Sequence, residues 1–106
     1  MVFLLRRELI MSTSVPNSKK RRRIIGLILR HRRKMVPGRK VEIVAGEVGI
    51  DPLHLIRIEQ GRWQTSDQLL EKVARAAGIK PQELKDKAEE LSQWSLEDIA
   101  QRVRQM

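Results

Sequence analysis

Apolar positions in residues 44–61 recur at helical spacing on either side of a short break. Val44, Ala45 and Val48 stand at i, i+1 and i+4, which predicts a helix over about residues 40–48. Gly49 ends it, because glycine enters the left-handed region without steric cost. Asp51 suits an N-cap, its carboxylate placed to accept a backbone N–H two or three residues on, and Pro52 fits the first helical position, where no amide is needed. A second helix of about nine residues follows and is stopped by Gly61. Two short helices around the tight Gly49-Ile50-Asp51 junction make a helix-turn-helix.

At roughly 100° per residue, Leu55 and Ile58 share one side of that second helix and are expected in the core. Leu53, Ile56, Arg57 and Gln60 fall roughly opposite, with Pro52, His54 and Glu59 on the flanks. With its apolar pair held inward, this helix has its other face free to enter a groove. Those four residues are the candidate reading head.

The same periodicity predicts four more helices. The first, residues 24–35, turns Ile25, Ile28 and Leu29 inward and carries Arg30, Arg32, Arg33 and Lys34 on its later turns, before Pro37-Gly38 breaks it. After the loop Arg62-Trp63-Gln64, a hydroxyl cap at Thr65-Ser66 opens a helix with the stripe Leu69, Leu70, Val73, Ala74 and Ala77, ended by Gly78. Trp63 is expected to cover the core edge. Residues 81–93 present Leu84, Ala88 and Leu91, followed by Trp94. Ser95 with Asp98 is a capping-box variant that opens a last helix carrying Leu96, Ile99, Ala100 and Val103 to about residue 104. These terminal stripes must be buried somewhere. The expectation is a homodimer seam of Leu91, Trp94, Leu96, Ile99 and Val103, the alternative being packing back on the domain.

Several of these runs together resemble a family. Ile25-Gly26 with Leu29-Arg30 and Arg33 is similar to "LGxxLRxxR", and Ala45 with Val48-Gly49-Ile50 to "AxxLGVS". Arg57-Ile58-Glu59-Gln60-Gly61 is similar to "RIExG", and Leu70, Val73-Ala74, Ala76, Gly78-Ile79 and Leu84 to "LxxLAxALGVxxxxL". In this order and spacing, residues 25–84 resemble the lambda-repressor-like helix-turn-helix family (Cro/repressor, xenobiotic-response-element type). The resemblance implies an all-α, five-helix DNA-binding domain, here with an additional C-terminal helix. The departures are Val41 where members often carry glutamine, Pro52 and Leu53 where polar residues are usual, Asp51 for serine, and one extra residue in the loop 35–39. They bear on base reading more than on the fold.

Charge adds a second theme. The net charge of +9 is unevenly spread: residues 1–40 hold thirteen Lys or Arg against Glu8 alone, whereas residues 41–106 hold nine against twelve acids. Concentrated positive charge gains free energy from counterion release on a phosphate backbone. Lys19, Lys20, Arg21, Arg22 and Arg23 form a block of like charges expected to stay mobile until phosphates neutralise it, after a polar linker at residues 12–18. The expected organisation is a flexible basic arm at 1–23, a DNA-binding domain at 24–84 and a helical extension at 85–106. Arg6, Arg7 and Glu8 interrupt the apolar start before a signal-peptide core or a membrane span is complete. Met1 and Met11 both fit as a start.

Without cysteine, disulfides and thiolate metal sites are excluded. His31 and His54 are too few for a metal site, and no nucleophile or phosphate-cradling motif occurs. No enzymatic activity, metal or cofactor is therefore expected. The leading expectation is a cytoplasmic, nucleoid-associated regulator that binds double-stranded DNA, most simply a repressor. Lys19 to Arg23 with Arg39, Lys40, Arg62 and Gln64 would contact the DNA backbone. Leu53, Ile56, Arg57 and Gln60 would read bases, arginine on guanine, glutamine on adenine and the apolar pair on thymine methyls. The alternative is a protein-interaction module of antitoxin-like or adaptor type, in which Leu53 and Ile56 meet a protein partner. RNA binding is a weaker third, since the chain has no tyrosine and one phenylalanine for base stacking.

Overall fold

Local signals decide where the helices begin and end. The computed structural model describes residues 19–105, which form six helices and no strand: α1 (Lys19–Met35), α2 (Val41–Val48), α3 (Pro52–Glu59), α4 (Asp67–Ala77), α5 (Pro81–Leu91) and α6 (Leu96–Arg104). The fold class is all-α. Gly49 takes φ +85° and closes α2, its N–H donating to the Ala45 carbonyl. Asp51 caps α3 by accepting from the Leu53 N–H at 2.8 Å, with Pro52 in the first turn. Ser66 and Ser95 cap α4 and α6 in the same way, accepting from Leu69 and Asp98.

The longest helix, α1, is the axle of the fold and packs against α3, α4, α5 and α6. Its Ile24, Ile28 and Leu29 are fully buried together with Val44, Leu55, Val73, Leu84 and Ile99 from the other five helices. Completely burying side chains of this size stabilises by about 1.5–3 kcal/mol each. The helix α2 lies off the axle and packs on α3 and α4.

Two expectations change here. The block Lys19 to Arg23 is the start of α1 and not a separate arm, so a boundary at residue 23 falls inside a helix. Lysine and arginine are good helix formers, and tertiary contacts hold these turns. The Lys20 ammonium donates to the Ser92 carbonyl at the end of α5, 2.8 Å away, and Gly61 packs on the backbone of Arg23. The segment 1–18, with the apolar start and the linker, lies outside the described residues.

The second change concerns the C-terminal stripe. Leu91, Ile99 and Val103 are buried in the chain's own core, Ile99 at 0% exposure, and Trp94 and Leu96 pack on it partly buried. The chain itself buries three of these five residues and part of the other two, with α6 packed along α1. They are not a free dimer seam, and the division at residue 84 likewise falls within α5. Ile99→Ala is expected to lower stability by about 2–5 kcal/mol, the cost of a core cavity, as measured by urea unfolding. A double change of Ile99 and Val103 to Asp that left a fully folded monomer would contradict this packing.

Candidate nucleic-acid interface

The position of α3 is fixed by three features of its C-terminal end. First, Gly26 of α1 lets the two backbones meet: a Cβ at Gly26 would fall on the Glu59 carbonyl and 2.7 Å from the Ile58 carbonyl oxygen. Second, Gly61 turns the chain at φ +72°, and a Cβ there would lie 2.7 Å from the Cα of Arg23. Third, Glu59 forms a buried, bidentate pair with Arg33, Nε to Oε2 at 2.7 Å and Nη2 to Oε1 at 3.0 Å. Arg33 Nη1 also donates to the Arg39 carbonyl, 3.1 Å away, so one side chain ties α1, α3 and the loop before α2.

With that end locked and Leu55 and Ile58 buried, the opposite face of α3 is presented to solvent. Leu53 is 51% exposed, Arg57 and Gln60 are exposed, and Ile56 is partly buried. The first three are thus open on one short helix, and Ile56 offers only part of its side chain.

Trp63, expected to cover the core edge, is 49% exposed and belongs to this face instead. Its ring meets His54 edge-on, centroids 5.6 Å apart at 74°, and the Arg57 guanidinium carbon lies 6.0 Å from its centre. Such contacts orient Arg57 without consuming its hydrogen-bond donors. Arg62 Nη1 approaches Gln60 Oε1 at 3.4 Å. The pattern that signals this cluster is His54 and Arg57 at i and i+3 followed by a tryptophan just past the stop glycine.

The residues expected on a phosphate backbone divide into distinct groups. Lys40 is exposed at the N-terminal end of α2, whose cap has no side-chain hydrogen bond, and Arg62 and Gln64 are exposed after α3. Lys19 and Arg23 are exposed on α1, while Arg21 and Arg22 are partly buried and line a cleft of about 130 Å³ with Trp63, Gln64 and Lys85. Lys20 is engaged by Ser92. Arg39 is not an open phosphate ligand: its guanidinium grips Glu47 at 2.7 and 2.8 Å and donates to the Ala76 carbonyl at 2.6 Å. Its charge is neutralised by a carboxylate that the sequence places eight residues away.

The hydrogen bonds from Arg39 hold the Glu47 carboxyl below its ordinary range, and the same bonds raise Arg39. Among the described residues there is no group of three or more His, Asp or Glu able to hold a metal ion, and no helix long and apolar enough to cross a membrane. No family model, curated protein or solved structure matches the chain.

Two measurements check the geometry. Arg33→Met or Glu59→Leu alone is expected to cost about 3–5 kcal/mol by leaving a buried charge unpaired, and the double variant less than the sum. Additive losses in urea unfolding would mean that the pair is not coupled. For Glu47 the folded pKa is depressed, so its contribution is complete above the unfolded carboxyl pKa of about 4.3 and is lost as pH falls through the folded value. Wild type should therefore lose a small increment of stability on acidification that Glu47→Gln lacks, and parallel acid profiles would remove the pair from the account.

Proposed function

We propose that this chain is a sequence-specific regulator that binds double-stranded DNA, most simply a repressor of the lambda-repressor-like type, without enzymatic activity or cofactor, acting on the nucleoid in the cytoplasm. One observation carries the proposal: α3 is locked to α1 at one end while Leu53, Arg57 and Gln60 stay open on its far side. A rigidly held helix with one open face suits insertion into a major groove about 12 Å wide. Arg57 would bond guanine O6 and N7, Gln60 adenine, and Leu53 a thymine methyl. Lys40, Arg62, Gln64, Lys19 and Arg23 surround the helix in sequence and would hold phosphates, giving affinity without base preference. The backbone N–H groups opening α2 add to Lys40 there.

A protein-binding use of the same face is favoured by the exposure of Leu53 and by Pro52, which offers no backbone donor. The same variants separate the two. If the face reads DNA, Arg57→Ala should cost about 1–3 kcal/mol on the preferred duplex and relax preference at one base pair, with binding to scrambled duplex nearly unchanged. Leu53→Ala should weaken discrimination of thymine from uracil. The preferred duplex comes from selection on a random pool with the full chain at one stated salt concentration. Negligible effects of both variants on both duplexes, or the release of a co-purifying protein by both, would reject base reading by α3.

A further inference from the structure

A second charged surface lies away from α3. Counting roughly 100° per residue, Leu27, Arg30, His31 and Lys34 face a side of α1 about a quarter turn from the Gly26 and Arg33 side. There α6 runs alongside, and the two helices enclose a groove of about 410 Å³ lined by these residues with Ala100, Val103 and Arg104. Arg30, Lys34 and Arg104 are exposed, and none has an ion pair among the described residues. This contrasts with their neighbours Arg32 and Arg33, which pair with Glu83 and Glu59. The Nε2 atom of His31 is buried without a hydrogen-bond partner. No acidic residue lines the groove.

Cations four apart on one helix face repel each other and destabilise it unless something opposite lies across them. Carboxylates meet that condition for Arg30 and Lys34, and for Arg104 across the groove. Leu27 and Ala100 add a demand that charge alone does not satisfy: the occupant must also offer apolar side chains between its acids. We propose that the α1–α6 groove docks an acidic amphipathic segment of a partner protein, with carboxylates on Arg30, Lys34 and Arg104 and apolar side chains on Leu27 and Ala100. This is the helix-in-groove mode with charge complementarity setting orientation. A nucleic acid fits less well, since hydrated phosphates gain nothing from an apolar lining and no Trp, Tyr or Phe lines the groove to stack a base. None of the residues lining the groove belongs to α3.

The test uses the full chain and two fluorescent synthetic peptides of identical composition, glutamate and leucine. In one, leucines recur at i, i+3, i+4 and i+7; in the other they are shuffled off that face. The first should bind, and the shuffled peptide roughly tenfold or more weakly. An Arg30→Glu and Lys34→Glu double variant should lose binding by a similar factor while its thermal unfolding stays near that of wild type, because both side chains are exposed. Ala100→Glu, which alters the groove from the other helix, should do the same with Arg30 and Lys34 intact. Equal binding of both peptides, or unchanged affinity in both variants, would overturn the proposal. So would wild-type self-association abolished by the variants, which would make the occupant a second copy. A loss of duplex binding larger than the loss of peptide binding would likewise make the groove a phosphate surface.

Discussion

A guanidinium can be buried only if its charge and its N–H groups are met, and the fold is arranged around meeting those of Arg33. The carboxylate of Glu59 takes two of them and the Arg39 carbonyl a third. A pair like this contributes little net stability over an apolar pair of the same volume, since desolvation offsets most of the Coulombic gain. Its effect is on arrangement. A bidentate fork accepts its carboxylate in one plane and at one distance, so α3 has one register against α1. Leu55 and Ile58 hold α3 down by burial, which is tolerant of sliding, whereas the ion pair is not.

Basic side chains recur as ties elsewhere, and this changes what the basic half of the chain means. Lys20 donates to Ser92, Arg32 to Gly78 and Arg39 to Ala76, each a carbonyl at or just beyond the end of a helix. Those carbonyls have no partner within their own helix, and a cation there is favoured by the helix dipole as well. Much of the positive charge is therefore already internal to the structure. Two groups of exposed cations stand out, one beside α3 and one at the α1–α6 groove, and they differ in kind: one borders the open face of a short helix, the other a groove with a partly apolar lining.

How much of this was legible follows from the range of each interaction. Helix ends were, because Asp51, Ser66 and Ser95 bond within two or three residues and Gly49 needs only its own backbone angle. The outward set Leu53, Arg57 and Gln60 followed from periodicity, which is also local. Long-range pairing was not. Nothing nearby in sequence says that Glu47 will quench Arg39, or that Glu59 will reach Arg33 across 26 residues. A clue did exist: Gly26, Leu29 and Arg33 lie at i, i+3 and i+7, so the arginine was in phase with buried positions. The stripe of α6 carried no address at all. Periodicity states that a face will be covered and is silent on whether the same chain or another covers it. The helical start at Lys19 was missed because a run of like charges was weighed by its repulsion, without the carbonyl at Ser92 that receives one of them.

The missing side chain at Gly26 leaves no gap between α1 and α3. Two backbones in contact have no lubricating layer of side chains whose rotamers could change, so the joint cannot rock in small steps as a packed interface can. Whatever lies against α3 meets a surface of fixed pitch, and the adjustment on binding falls to the partner. For a stiff partner, discrimination would then rest on how cheaply it deforms as well as on which groups it displays. A one-carbon change at position 26, far from any exposed contact, would meet the backbone of Glu59 and Ile58 and so force α3 to a different pitch on α1.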